Sequence, residues 1–104
     1  MRRILVTAII AILLALNVPS AAGAAATDAP VTCKGRVATI VGTADGETIV
    51  GTNGRDVIAA LGGDDRVLGR GGNDLICGGP GDDVLVGHLG RDGIYGGPGN
   101  DRLF

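Results

Sequence analysis

A nine-residue period limits what this chain can fold into more than any other feature. From Gly42 to Phe104 the sequence divides into seven ninefold units without insertion or deletion: GTADGETIV, GTNGRDVIA, ALGGDDRVL, GRGGNDLIC, GGPGDDVLV, GHLGRDGIY and GGPGNDRLF. Four columns carry the pattern. The first position is glycine except at Ala60, and the fourth is glycine except at Asp45. The sixth is always acidic (Glu47, Asp56, Asp65, Asp74, Asp83, Asp92, Asp101), and the eighth is always a branched aliphatic (Ile49, Ile58, Val67, Ile76, Leu85, Ile94, Leu103). A flexible glycine-rich linker has no reason to keep four columns in register.

Each column has a physical task. Glycines supply backbone angles with positive φ and close approach to neighbours. The three residues after the acid suffice for a short strand, its eighth-position side chain turned inward and its neighbours outward. Two nonapeptides make one coil, so units of equal parity stack strand on strand about 4.8 Å apart. The fold class is therefore all-β, a parallel β-roll (a β-solenoid) with two repeats per coil and two facing aliphatic ladders. Twenty glycines and 2% aromatics fit such a stack and argue against an ordinary globular core.

The same stacking lines up the sixth-position acids. Two carboxylates about 5 Å apart repel by about 3 kcal/mol at an effective dielectric near 20. A cation between them removes that cost. Calcium fits best, since it takes six to eight hard oxygen ligands, backbone carbonyls included, in loose geometry. Magnesium demands a tight octahedron, and zinc prefers nitrogen or sulfur, which these turns lack.

At this point the residues resemble the RTX, or haemolysin-type, calcium-binding repeat, G-G-x-G-x-D-x-U-x with U aliphatic. Units GGPGDDVLV and GGPGNDRLF match it at every defined position, and the resemblance covers Gly42 to Phe104. It implies ions held between turns two units apart, by the sixth-position carboxylates and by turn carbonyls around Gly69, Gly72, Gly78, Gly81, Gly87 and Gly90. The implied pairs are Glu47 with Asp65, Asp56 with Asp74, Asp65 with Asp83, Asp74 with Asp92, and Asp83 with Asp101, which allows up to five calcium ions. The first pair is the weakest, because Glu47 replaces aspartate and Asp45 a turn glycine. Ala60 and Leu61, in place of two glycines, are expected to distort the third turn. RTX repeats commonly sit in large toxins or proteases exported with a C-terminal signal, whereas these look free-standing behind a different leader, so only the repeat's own function carries over.

That leader occupies residues 1–26. Arg2 and Arg3 precede an apolar stretch from Ile4 to Leu16, and small residues around Ala24 and Ala26 offer cleavage sites, as in a secretory signal peptide. The stretch falls short of the roughly 20 apolar residues that span a bilayer. The mature protein is then secreted, with no membrane span. Losing Arg2 and Arg3 leaves seven basic against eleven acidic residues, about −4 in net charge, which disfavours nucleic acid and anionic membranes as partners.

Residues 27–41 form an N-terminal segment in which CKGRVATIV, from Cys33 to Val41, fits the repeat register with Ile40 inward and Ala38 in place of the acid. It reads as a degenerate capping coil. Cys33 and Cys77 are a disulfide candidate in an exported chain. In a perfect roll they lie at different edges and about two coils apart, too far to bridge. Pairing requires Val31 to Val37 to leave the stack and cross its outer face, where it would cover the ninth-position apolar residues.

Catalytic chemistry is not apparent. His88 stands alone at a turn, and of the adjacent acids Asp64-Asp65 and Asp82-Asp83 one is expected to face the ion and the other water. Ser20 falls within the leader. The sequence reads as a non-enzymatic extracellular calcium-binding module whose folding is coupled to calcium. The alternative is a secreted structural or adhesive roll that self-associates through its C-terminal edge, with calcium only as a staple.

Overall fold

The computed structural model describes residues 29–104, all-β and without a helix among those residues. The leader expected over residues 1–26 lies outside them. No helix of the described residues is long and apolar enough to cross a membrane.

Ten short strands follow one another: β1 (Thr32–Cys33), β2 (Arg36–Val37), β3 (Ile40–Val41), β4 (Thr48–Val50), β5 (Val57–Ala59), β6 (Arg66–Leu68), β7 (Leu75–Cys77), β8 (Val84–Val86), β9 (Gly93–Tyr95) and β10 (Arg102–Leu103). The last eight form two parallel four-stranded sheets, ordered β3-β5-β7-β9 and β4-β6-β8-β10. Every parallel pairing joins residues two units apart, as in Ile58 with Ile76 and Val67 with Leu85. The chain alternates between the sheets at each turn, so two repeats complete one coil.

This register follows from the eighth column. A shift by one residue would turn every inward aliphatic toward water. Ile49, Ile58, Val67, Ile76 and Leu85 are buried between the sheets, with Ile40 and Ile94 packed at the margins. Full burial of each such side chain is worth about 2 kcal/mol. Ala60 joins this core instead of disturbing it, its methyl fully enclosed. Leu61 adopts φ 73°, matching Arg70 at 75° and His88 at 73° in the corresponding turns. The third turn therefore keeps the conformation of later ones, against the expectation of distortion.

Ahead of the roll the chain departs from the repeat. Only Ile40 and Val41 of the Cys33–Val41 segment keep the register, pairing with Ile58 and Ala59. Strands β1 and β2 pair antiparallel instead, around a turn at Lys34 and Gly35 whose φ values, 51° and 84°, suit a tight two-residue hairpin. Strand β1 lies against β5 and β7, and Cys33 is bonded to Cys77 with a Cα–Cα distance of 5.7 Å. Lys34 places its ammonium 4.5 Å from the centre of the Tyr95 ring. The hairpin thus covers ninth-position residues of one sheet only. Ala59 is buried there, whereas Val41 and Tyr95 at the ends of the same sheet, and Val50 of the other, stay exposed.

Candidate metal centre

All the sixth-position acids fall in the turns that link the sheets. Because the chain switches sheets at each unit, the turns divide between two edges of the roll. One edge carries Glu47, Asp65, Asp83 and Asp101; the other carries Asp56, Asp74 and Asp92.

Along each edge the acids form a ladder. Asp65 Oδ1 accepts the N–H of Glu47 at 3.0 Å, and Asp83 Oδ1 that of Asp65 at 2.8 Å. Asp101 Oδ1 continues it by accepting from Asp83 at 2.9 Å. On the opposite edge Asp74 accepts from Asp56 at 2.9 Å and Asp92 from Asp74 at 2.8 Å. All five pairs expected from the sequence are therefore neighbours across the stack, each carboxylate spanning one coil spacing.

The second oxygen of these carboxylates carries the functional information. Oδ2 of Asp65, Asp74 and Asp83 is buried with no hydrogen-bond partner, in residues only 2%, 3% and 1% exposed. A buried polar atom without a partner costs on the order of 1–3 kcal/mol, more when charged. Burial is accordingly the main reason that all three carboxyls are held above the ordinary carboxylate value. Neighbouring acids add to the rise: Asp83, Glu47 and Asp64 at Asp65, Asp56 and Asp92 at Asp74, and Asp101, Asp64 and Asp82 at Asp83. The ladder hydrogen bonds offset part of it.

The glycines keep this space open. A Cβ on Gly69 would come within 2.7 Å of Asp74 Oδ2, and one on Gly78 within 2.5 Å of Asp83 Oδ2. At the fourth position Gly81 has φ 125° and lies directly against the Gly63 carbonyl of the coil below. The carbonyls of Gly69, Gly72, Gly78, Gly81, Gly87 and Gly90 accept no backbone N–H among the described residues. The bare Asp74 Oδ2 and the Gly87 carbonyl both face the space that a Cβ on Gly69 would fill, at 2.7 and 2.9 Å from it, and such an all-oxygen donor set suits a hard cation of flexible coordination. Nowhere among the described residues do three His, Cys, Asp or Glu side chains converge on one point. The donor set is thus poor for zinc and must rely on backbone oxygen.

The family comparison agrees with this chemistry. A family model, the RTX calcium-binding nonapeptide repeat, matches residues 41–76 and 78–104 in four copies. The chain belongs to the RTX repeat family. No curated protein and no solved structure matches it. RTX repeats are structural calcium-binding units, which accords with the oxygen-only turns described above.

Two features of these RTX turns escaped the sequence reading. Asp64 and Asp82 were expected to face only water, yet Asp64 Oδ1 accepts the N–H of Asp82 at 2.8 Å and Asp82 Oδ1 that of Asn100 at 2.9 Å. Asn73 does the same for Arg91. The signal was the recurrence of Asp or Asn at position five. The second is position two of the first units, where Thr52 donates its N–H to Asp56 Oδ2 at 2.7 Å and its hydroxyl lies 3.0 Å from Oδ1. His88 stays exposed at its turn.

Proposed function

We propose that this RTX protein is an extracellular calcium-binding module whose roll is completed by ions lodged between stacked turns. The observation that carries this reading is the set of three buried carboxylate oxygens, on Asp65, Asp74 and Asp83, that lack any partner. A bound calcium ion would supply the missing counter-charge, held by the paired sixth-position carboxylates and the free turn carbonyls. Up to five such sites follow from the five pairs.

The cost of leaving those oxygens bare links folding to calcium. In the cytosol, where calcium is scarce, the acidic turns disfavour the compact roll; outside, extracellular modules load at dissociation constants of about 10⁻⁴–10⁻³ M. The secretory character of residues 1–26 and the Cys33–Cys77 bridge support an oxidising, extracytosolic location. Serving as an ion-dependent scaffold requires no catalytic group, and the protein is read as a non-enzyme. Circular dichroism of the mature chain, titrated with calcium from a chelator, tests the coupling: strand signal should rise with occupancy, and an unchanged spectrum refutes it.

A second reading takes the roll as a self-associating structural element. It draws on the exposure of Leu103 in the edge strand β10 and of Phe104 next to it. Sedimentation in calcium separates the two, since only this reading expects mass to grow with concentration.

A further inference from the structure

Position two of the repeat adopts two different backbones. In units three, four and six it is Leu61, Arg70 and His88, all at positive φ, and in units five and seven Gly79 and Gly97 take 86° and 85°. Thr43 and Thr52, in units one and two, stay out of that region, as a β-branched side chain requires. The backbone then turns their N–H groups onto the acid of the same turn. Thr52 donates to Asp56 as described, and Thr43 donates its N–H at 3.2 Å, and also its hydroxyl, to Glu47 Oε1. Left-handed turns offer neither donor, and their acids include all three with a bare, buried Oδ2. Strained backbone of this kind persists where its surroundings impose it, and it clusters at functional sites.

We propose that threonine at position two takes the place of calcium, so that the turns of units one and two are closed by a hydroxyl and an amide. This rests on the calcium reading above. Ions are then confined to pairs in which both turns are left-handed: Asp65 with Asp83, Asp74 with Asp92, and Asp83 with Asp101. The chain takes three ions, not five. The N-terminal coils, satisfied internally and tied by the Cys33–Cys77 bridge, form a metal-independent base on which the later coils load.

Native mass spectrometry of the mature, disulfide-intact chain across a calcium titration tests this. The parent should saturate at three ions. Thr52→Gly frees Asp56 and permits a left-handed turn, so it should gain a fourth; Thr52→Ser keeps the hydroxyl and should stay at three. His88→Thr closes the Asp92 turn and should lose one. Hydrogen exchange in chelator adds a readout independent of loading: amides around Ile49 and Ile58 should stay more protected than those around Leu85 and Ile94, and Thr52→Gly should erase the contrast. Saturation of the parent at five ions overturns the proposal, as does a Thr52→Gly chain that gains none or loses one. A parent that binds no calcium overturns the calcium reading itself, and this inference with it.

Discussion

Replacing Asp83 by asparagine should change sign with calcium. Asp83 lies between Asp65 and Asp101 in the ladder, and the charges of Asp101, Asp64 and Asp82 bear on it. Asparagine keeps an oxygen for the Asp65 N–H but removes the charge. Of its two stacked neighbours only Asp101 is among the acids that raise it, and one neighbour about 5 Å away contributes about 3 kcal/mol of repulsion at an effective dielectric of about 20. Converting the ladder bond from charged to neutral costs about 1 kcal/mol. The net gain in chelator is then about 2 kcal/mol, worth on the order of 10 °C in melting temperature for a domain of this size. In calcium the balance reverses. With a dissociation constant near 1 mM, 10 mM calcium stabilises by about 1.4 kcal/mol per site, and Asp83 belongs to two pairs. The variant should then be less stable than the parent by about 1 kcal/mol, and the deficit should widen as calcium rises. Thermal melts followed by circular dichroism, in chelator and across a calcium series, measure both arms. An Asp83→Asn chain less stable than the parent in chelator would refute the claim that these carboxylates are uncompensated.

Acidity should act in the same direction as that substitution. Burial first, and neighbouring acids second, hold the carboxyls of Asp65, Asp74 and Asp83 above the ordinary value of 3.8. The folded chain therefore keeps protons that the unfolded chain has released, and the penalty, absent below 3.8, is complete once pH exceeds the raised folded values. Metal-stripped protein should melt at a higher temperature as pH falls from 7 toward 4, whereas calcium-loaded protein should lose stability as protons compete for the ligands. Replacing both Cys33 and Cys77 with alanine should cost about 4 kcal/mol by loop-closure entropy, read as a lower urea midpoint, with amide protection lost at β1 and β2. Gly81→Ala should destabilise by at least about 2 kcal/mol, since its φ is 125° and its Cβ would press on the Gly63 carbonyl. Gly54→Ala, with only the Thr52 hydroxyl at 3.8 Å, should fall well below that in the same urea assay.

The roll was legible because its determinants repeat. The eighth column has one physical solution, and the pairing of Ile58 with Ile76 and of Val67 with Leu85 follows from a fixed period once coils are stacked. The five acid pairs follow from that register alone. Departures from the period were harder to read. Cys33–Val41 fits the repeat by composition, yet the Lys34–Gly35 turn sends Cys33 out to Cys77, a tertiary choice that no column encodes. Ala60 and Leu61 looked like defects because the sequence gives no measure of the space at each position. The core had room for one methyl, and a leucine held by its neighbours can occupy the left-handed region. The roles of Thr43 and Thr52 needed hydrogen-bond geometry, which identity alone does not supply.

The two edges of the roll are not electrostatically equivalent, and this bears on what a cation does at each. Turns of the odd units carry Asp45, Glu47, Asp64, Asp65, Asp82, Asp83 and Asp101 without a lysine or arginine, whereas those of the even units set Arg55, Arg70 and Arg91 against Asp56, Asp74 and Asp92. Counter-charge in general is therefore scarce only along the first edge. Bare, buried oxygen occurs on both, at Asp65 and Asp83 on one and at Asp74 on the other. Arginines at turn surfaces lower the average field, but they do not reach inside to satisfy Asp74 Oδ2. The requirement common to both edges is local coordination of a buried carboxylate oxygen, not bulk neutralisation. Monovalent salt, which screens exposed charge over a Debye length, addresses the odd edge's surplus alone, while a multidentate divalent ion addresses the deficit on both edges.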